Sequence, residues 1–262
     1  MSFNLTDLKV DIVLPNYNSE AYLEETIQSV INQTFKNWKL IIIDANSNFA
    51  TQKILEKYNK YKNIKIIKLK KNKKAGFSRN LALRNSKSEY IAFIDSDDIW
   101  EEDKLSKQLN FMLKNKYSFS YTNYQPFKKS NNFSDNSDLN FLQVVRPLKY
   151  FSYNTFIKNT SIATSTMIIK RSAIGNSKFS NTEICEDYFF KCQILKKVKY
   201  AYCLSKNLMR YRIRGDSLQS NKMKNLCWIW YINKNYNKMS FFKNLLSLFF
   251  ISLNSIKKYG FK

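Results

Sequence analysis

Four short apolar runs in residues 1–115 alternate with helical patterns, and this alternation constrains the fold more than any other feature of the chain. Each run has the length and composition of a buried strand, and the stretches between them repeat apolar residues at helical spacing. Buried strands separated by helices predict an α/β fold with a mostly parallel sheet flanked by helices. The four runs are VDIVLP (10–15), KLIIID (39–44), IKIIKL (64–69) and EYIAFID (89–95).

Polar residues follow three of these runs directly. Because ligands of parallel α/β sheets bind at the carboxyl ends of the strands, we expect these three tips to meet at one edge. None of them is a glycine-rich dinucleotide loop or a phosphate-binding P-loop, so the sequence disfavours both of those sites. Asn18 and Ser19 are also suitable N-cap residues for the first helix. The three tips are PNYN (15–18), DANS (44–47) and DSDD (95–98).

The pattern becomes less regular beyond residue 116, and we find neither a repeat nor a clear linker. We expect a single compact unit over 1–215, with halves at 1–115 and 116–215, and a basic, amphipathic helical extension over 216–262. The predicted segments of the second half are a loop at 128–140, strands at 165–172 and 208–213, and a helix at 187–196.

The chain contains no histidine, which excludes every catalytic mechanism and metal site that depends on an imidazole side chain. Nucleophile systems that depend on histidine and zinc sites that use imidazole are excluded. A general base must then be a carboxylate, tyrosine, lysine or cysteine. The four cysteines form no C-x-x-C pair, so we interpret them as reduced thiols of a cytosolic protein.

The net charge of +24 is unevenly distributed. Residues 1–50 carry three Lys and six acids, whereas the remaining residues carry 41 Lys or Arg and 14 acids. Such a field attracts polyanions, which include nucleic acid, anionic lipid and phosphate-bearing substrates. The N-terminal residues lack the basic start and apolar core of a signal peptide, and no apolar stretch has the length of a membrane span.

Two basic stretches each allow two interpretations. Residues 58–74 carry eight Lys from position 60 onward and form either a solvated strand and loop or a guide for an anionic donor. The tail from Leu218 mixes aromatic and leucine side chains with lysines. It forms either a helix pair that packs on the core or an amphipathic element at an anionic membrane surface.

The aspartate cluster DSDD also allows two interpretations, helix capping and metal binding, and both roles can be present together. Three carboxylates within four residues repel one another unless a positive group lies among them. In one reading, Asp97 or Asp98 caps a following helix. In the other, Asp95 and Asp97 converge on a divalent cation that also binds a diphosphate, because hard oxygen ligands suit Mg²⁺ or Mn²⁺.

The order of several motifs resembles that of family-2 glycosyltransferases of the GT-A fold over about residues 9–215. Those motifs are VDIVLPNYNSEAYLEETIQSVINQTFKNWKLIIID, GFSRNLAL, SEYIAFIDSDDIW and EICEDYFF. The resemblance implies a GT-A-like fold and an inverting transferase that uses a nucleoside-diphosphate sugar. It assigns nucleotide-sugar binding to the half 1–115 and the acceptor side to 116–215.

Donor-side roles follow from the same resemblance. Pro15 and Tyr17, with Asn18, fall where the family forms its nucleotide pocket, and Asp44 matches an acid that helps to bind the nucleoside. Arg79 matches a basic residue that approaches the nucleotide. Asp44 could instead cap a turn, and Arg79 could be a surface helix residue.

The metal and acceptor sides are implied in the same way. Asp95 and Asp97 match the metal-binding D-x-D pair, with Asp97 as the more direct ligand of Mn²⁺ or Mg²⁺. Asp187 matches the catalytic base, and Glu186 lies beside it as a substrate-binding residue. Alternatively, Glu186 and Asp187 are acids that only stabilise the N-terminus of a helix through its dipole.

Two positions depart from the family pattern. Ala45 stands where many members have a second acid, and Arg214 replaces the histidine of a Y-R-x-H-x-x-S motif. Arg214 is a candidate for diphosphate binding or loop closure. The Q-x-x-R-W signature of processive synthases is missing, which favours the addition of a single sugar.

The resemblance thus implies a metal-dependent transferase that adds one sugar, with a UDP-sugar favoured as donor, to a glycan or lipid-linked glycan. Cell-surface polysaccharide such as lipopolysaccharide O-antigen or capsule, assembled at the cytoplasmic membrane face, is the family's common setting. Two other classes remain open: a catalytically weak nucleotide-sugar-binding protein and a basic nucleic-acid-binding protein. We expect no nucleic-acid partner, because acids at a binding edge repel phosphates unless a metal lies between them.

Overall fold

The computed structural model describes residues 8–129, 139–214 and 221–259. Strands and helices alternate regularly up to residue 115 and less regularly beyond it. The first part contains β1 (Val10–Asn16), α1 (Leu23–Ile31), β2 (Trp38–Asp44), α2 (Phe49–Tyr58), β3 (Ile64–Lys68), α3 (Ala75–Asn85), β4 (Tyr90–Phe93), β5 (Ile99–Trp100) and α4 (Lys104–Asn115). The second part contains β6 (Phe119–Lys129), β7 (Leu139–Phe141), β8 (Tyr150–Phe151), α5 (Tyr153–Phe156), β9 (Ile168–Lys170), α6 (Arg171–Ile174), α7 (Glu186–Lys197), β10 (Ala201–Arg212), α8 (Lys222–Asn235) and α9 (Phe241–Tyr259).

These strands form one mixed sheet in the order β3-β2-β1-β4-β9-β6-β10-β5, with β7 paired to β6 and β8 to β10. The first four strands are parallel, as are β6 and β10, whereas β9 and β5 join their neighbours in antiparallel pairs. The register aligns Asn16 at the end of β1 with Asp44 at the end of β2. The predicted α/β sheet flanked by helices is therefore confirmed as a mixed sheet, and its parallel half brings the carboxyl ends of β1, β2 and β4 to one edge.

Both faces of the inner strands β1, β2 and β4 are buried. Alternate residues of β2 enter different core clusters: Ile41 and Ile43 contribute to one, and Leu40 and Ile42 to the other. All four are fully buried, because side chains alternate across a strand and helices cover both sides. This double coverage explains why the strand runs are continuously apolar.

Several local predictions need correction. Asn18 and Ser19 do not cap α1 through their side chains; instead, the backbone carbonyl of Ser19 accepts hydrogen bonds from the amides of Tyr22 and Leu23. The predicted loop at 128–140 begins and ends in strands, and its residues 130–138 lie outside the described part. The predicted strand at 165–172 shrinks to β9, since a 3₁₀ turn precedes it and α6 follows it.

The tail packs on the core through α8 and α9. Ile229 and Ile232 of α8 and Ile251 of α9 belong to the same buried cluster as the residues of α7. The helical character predicted for the tail is confirmed for its described residues, while the boundary at residue 216 stays a prediction. Across 8–129, 139–214 and 221–259, none of the helices combines the length and the apolar character that crossing a bilayer requires.

Candidate functional site

The tips of β1 and β2 are joined by a buried carboxylate. Asp44 is fully buried, and Asn16 donates a hydrogen bond to its Oδ1 over 2.7 Å. Ser47 donates to Oδ1 over 2.5 Å, and Gln52 donates to Oδ2 over 2.5 Å. Asp44 therefore fixes the loop between β2 and α2, and a direct contact between Asp44 and a nucleoside stays a prediction.

An exposed aromatic ring lies beside this junction. Tyr17 is 48% exposed, and Pro15 before it is half-buried. Asn18 adopts a left-handed backbone conformation with a φ of 45°, and its Oδ1 accepts a hydrogen bond of 2.8 Å from the amide of Asn48. The loops after β1 and β2 are thus tied together, with the ring of Tyr17 open to solvent.

The aspartates after β4 form a loop that is held by buried hydrogen bonds. The Ser165 hydroxyl accepts from the amide of Asp95 over 3.0 Å and donates to Oδ2 of Asp98 over 2.5 Å. The loop leads into β5, and α4 starts only at Lys104, with no side chain capping it. The helix-capping reading of Asp97 and Asp98 is therefore wrong, because neither residue lies at a helix N-terminus.

Two arginines from the end of β10 reach the same loop. Arg212 donates from its backbone amide to Oδ1 of Asp98 over 3.1 Å and from Nε to the carbonyl of Asp97 over 2.9 Å. Arg214 forms an ion pair with Asp97, with 3.4 Å between Nη1 and Oδ2. The candidate Arg214 thus lies at the aspartate tip, whereas Gly215, Asp216 and Ser217 of its motif lie outside the described residues.

Arg79 connects the two halves of the site. Its side chain is 7% exposed and donates to Asp95 over 2.6 Å and to Glu186 at the start of α7. Gly76, one turn earlier, allows this approach, because a Cβ at that position would lie 2.4 Å from the carbonyl oxygen of Ser180. The alternative of a surface role for Arg79 is therefore wrong.

Asp187 is held by two neighbours that sequence reasoning missed. Lys191 donates to its Oδ2 over 2.5 Å, and Thr164 donates to the same oxygen over 2.7 Å. The Lys191 ammonium is buried and also donates to the carbonyl of Ile162 over 2.7 Å. The only sequence signal for this pair is the i, i+4 spacing of Asp187 and Lys191 on a predicted helix.

The acids of the site fall into two electrostatic groups. Burial raises the pKa of the Asp97 carboxyl to about 6, the charge of Asp95 adds to the increase, and Arg214 opposes it. Burial also raises the pKa of Glu186, against the lowering effect of Arg79. Burial alone would raise the pKa of Asp187, but the charge and hydrogen bond of Lys191 outweigh it and lower this pKa to about 2.

The oxygen donors at the β4 tip fit a hard divalent cation. Asp95 and Asp97 supply carboxylates and no softer ligand, and such ions are often held by one or two carboxylates with substrate phosphate. A group of three or more acidic or thiol ligands is absent from the described residues, so a cation here needs oxygen atoms from substrate or water. Because burial disfavours the charged form of the Asp97 carboxyl, a cation bound beside it would stabilise the carboxylate.

The chain is similar in sequence to known glycosyltransferases. The family model described as "Glycosyl transferase family 2" matches residues 11–177. The chain is 32% identical over 250 residues to the "Putative teichuronic acid biosynthesis glycosyltransferase TuaG" of Bacillus subtilis, with 95% of this chain and 96% of that protein covered. It is 33% identical over 267 residues to the Escherichia coli "UDP-Glc:alpha-D-GlcNAc-diphosphoundecaprenol beta-1,3-glucosyltransferase WfgD", with coverage of 98% and 97%.

Solved structures support the fold. Staphylococcus aureus TarS 1–349, crystallised in complex with UDP-GlcNAc, superposes with a TM-score of 0.71 at 21% identity. The superposition covers 96% of this chain and 73% of that one. The predicted GT-A-like fold is thereby confirmed.

Replacement of Arg79 tests whether its charge holds the two halves together. We expect Arg79→Met to lower the free energy of unfolding by about 3 kcal/mol or more at pH 8, because two carboxylates lose their buried partner. The loss should shrink as the pH falls through the raised pKa of Glu186, since protonation then favours the native state. Urea denaturation of the variant at several pH values measures both effects.

Two control variants accompany this measurement. Arg84→Met, at an exposed position on the same helix, should change the free energy of unfolding by at most about 0.5 kcal/mol. Arg79→Met combined with Glu186→Gln should recover part of the lost stability at pH 8. An Arg79→Met variant as stable as the wild type across this pH range would contradict the assigned role.

Proposed function

The chain belongs to glycosyltransferase family 2, and we propose that it transfers a single sugar from a nucleoside-diphosphate donor to a glycan acceptor with inversion at the anomeric carbon. One observation carries the proposal. Arg79 binds Asp95 on one side and Glu186, the neighbour of Asp187, on the other. With Asp95 assigned to the donor side and Asp187 to the acceptor side, the two substrates would meet at one site, as a direct displacement between them requires.

The donor would lie along the edge formed by β1, β2 and β4. We assign the exposed ring of Tyr17, with Pro15 and Asn18, to the nucleobase, and Asp44 to the support of that loop through Asn16 and Ser47. A UDP-sugar is the favoured donor, because WfgD carries UDP-Glc in its name and TarS was solved with UDP-GlcNAc.

Asp97 and Asp95 would hold a Mn²⁺ or Mg²⁺ ion at the diphosphate. When bound, such an ion neutralises charge on the leaving group as a Lewis acid. Arg214, whose guanidinium already lies at Asp97, would add a second positive charge for the diphosphate. Arg212 holds the loop in place through the backbone of Asp97 and the carboxylate of Asp98.

Asp187 would act as the general base. The acceptor hydroxyl oxygen forms a bond to the anomeric carbon while the bond from that carbon to the diphosphate oxygen breaks. The hydroxyl proton passes to Asp187, and the nucleoside diphosphate leaves with the bonding electron pair. Lys191 and Thr164 both hold Oδ2, so we assign Oδ1 to the acceptor. The lowered pKa of Asp187 keeps the carboxylate ionised at neutral pH.

The acceptor we propose is a lipid-linked glycan of cell-surface polysaccharide synthesis, at the cytoplasmic face of the membrane. Two relatives support this class: TuaG is named for teichuronic acid biosynthesis, and WfgD for a diphosphoundecaprenol-linked GlcNAc acceptor. The missing signature of processive synthases agrees with one addition per acceptor.

Substitution of the base tests the proposed transfer. With UDP-glucose and UDP-GlcNAc as donors and a GlcNAc-diphosphate with a short alkyl chain as acceptor, Asp187→Asn should lower kcat by at least about 100-fold. Donor binding should stay within about twofold, because the amide keeps the shape of the side chain. Glu183→Gln, an exposed acid four residues earlier, is the matched control. Wild-type turnover by Asp187→Asn would remove the base assignment, and a product that retains the anomeric configuration of the donor would remove inversion.

Lys191 offers a pH test of the same assignment. Lys191→Gln should raise the pKa of Asp187, because the charge and hydrogen bond of Lys191 hold it down. The base must be unprotonated, so the acid limb of the kcat profile should move to higher pH in the variant, and the wild type should stay active further into the acid range. The exposed Lys199→Gln variant, two residues beyond the end of α7, should keep the wild-type profile. A profile of Lys191→Gln that overlays the wild type would show that Asp187 is not the titrating base.

A further inference from the structure

The inward side of α9 combines the polar residues Asn244 and Ser247 with the apolar Ile251, and six large apolar side chains of the helix face solvent. Asn244 and Ser247 face inward and are 1% exposed. Phe242, in contrast, is 76% exposed, and Phe249 is 57% exposed. A surface helix of a globular protein normally has the opposite orientation, with its apolar stripe toward the core. The exposed apolar side chains, which we call the outer face of α9, are Phe241, Phe242, Leu245, Leu246, Phe249 and Leu253.

Hydrogen bonds fix this orientation. Asn233 of α8 donates to Asn244 over 3.0 Å and to Ser247 over 3.3 Å. The Ser247 hydroxyl donates to the carbonyl of Ile157 over 2.6 Å, and Asn244 donates to the carbonyl of Trp230 over 3.1 Å. Rotation of α9 to bury its leucines would leave these buried polar groups without partners, which is costly. The outer face is therefore held in solvent by the fold itself.

Positive charge flanks the outer face. Lys243 lies 5.4 Å from the centre of the Tyr153 ring, Lys196 lies 4.9 Å from the same ring, and Lys158 lies 5.1 Å from the ring of Phe250. None of the three lysines forms an ion pair with a described residue. A shallow depression of about 520 Å³ between α5 and the end of α7 is lined by both Tyr153 and Lys196.

An apolar face of this kind could bind a second copy of the chain or a lipid bilayer, and the charge around it favours the bilayer. After Asp187 the chain has 16 Lys or Arg and one acid, Asp216. Two copies that met through the outer face would bring the flanking lysines of both copies together, and like charges at an interface are unfavourable. A bilayer with anionic headgroups instead complements both the lysines and the apolar side chains.

We propose that α9 lies flat on a bilayer surface that contains anionic lipid, with its outer face among the acyl chains and Lys158, Lys196 and Lys243 at the headgroups. The inference deepens the proposed function, because a lipid-linked acceptor gives such docking its purpose. The hydroxyl of Tyr188, the residue after Asp187, donates to Asn233 over 2.8 Å. Because Asn233 also donates to Asn244 and Ser247 of α9, hydrogen bonds connect the docked helix to the residue beside the proposed base, and docking would fix the height of Asp187 above the membrane.

Co-sedimentation with vesicles tests the proposal without any substrate. The wild type should pellet with vesicles of phosphatidylcholine mixed with phosphatidylglycerol, and more weakly with phosphatidylcholine alone. The triple variant Phe242→Ser, Leu246→Ser and Phe249→Ser should lower the partition coefficient by at least about tenfold. Substitution of Lys158, Lys196 and Lys243 by Gln should lower it severalfold and flatten its dependence on salt.

Controls separate docking from misfolding and from self-association. Phe49→Ser removes an equally exposed aromatic ring, 73% exposed, from α2 and should bind vesicles like the wild type. The serine variants should keep the wild-type melting temperature, because the replaced side chains are exposed. Wild-type protein that does not bind the mixed vesicles, or a serine triple variant that binds them equally well, would overturn the proposal. A wild-type dimer that becomes a monomer in that variant, without vesicle binding, would assign the face to a second copy.

Failure of docking and failure of the proposed function are distinguishable. The serine triple variant should hydrolyse UDP-glucose in water at the wild-type rate and lose transfer only to an acceptor held in vesicles. Vesicle binding without any transfer or hydrolysis would support docking and contradict the proposed function. Transfer to a soluble acceptor by a protein that never binds vesicles would support the proposed function and contradict docking.

Discussion

The buried guanidinium of Arg79 lies between Asp95 and Glu186, and the geometry of the whole candidate site depends on that position. Burial alone lowers the pKa of this arginine, but the two carboxylates outweigh burial and raise it, so the charge persists. A charge buried without partners would be strongly unfavourable, and the same is true of the two acids. Arg79 therefore links the tip of β4 directly to the start of α7, although Asp95 and Glu186 are 91 positions apart in the sequence.

The same principle of satisfied buried polar groups operates at two other places. At the aspartate loop, Ser165 and Arg212 bind Asp98 and leave the carboxylates of Asp95 and Asp97 nearer to solvent. Beneath α9, Asn233, Asn244 and Ser247 form a hydrogen-bonded group that holds an apolar helix face outward. In both cases polar contacts inside the protein determine which groups are presented outside it. The site that we assign to the donor and the face that we assign to the membrane thus share a structural cause.

Local sequence patterns predicted the first half of the fold well, because strands buried on both faces are continuously apolar. The edge of polar tips followed from the parallel arrangement of β1, β2 and β4. Such local patterns do not predict contacts between residues that are far apart in the sequence. Arg79 and Glu186 are 107 positions apart, and Ser165 is 67 positions from Asp98, so neither pair leaves a periodic signal.

The tail illustrates a second limit of sequence analysis. Its amphipathic pattern indicated a helix, but periodicity does not show which face is buried. Asn244 and Ser247 of α9 face inward beside the buried Ile251, because Asn233 on α8 donates hydrogen bonds to both polar side chains. The absence of histidine, by contrast, limited a general base to a carboxylate, tyrosine, lysine or cysteine, and the family resemblance pointed to Asp187 among these.

We propose above all that the aspartates after β4 bind a nucleoside diphosphate through a divalent cation. The most direct test is calorimetric titration with UDP, GDP, CMP and dTDP, each with and without Mn²⁺, on wild type, Asp97→Asn and the control Asp103→Asn, a half-buried acid that pairs with Lys107. We predict that one nucleotide, UDP, binds only when Mn²⁺ is present, that Asp97→Asn abolishes this binding and that Asp103→Asn retains it. Metal-independent binding of UDP, or equal binding by Asp97→Asn, would contradict the account.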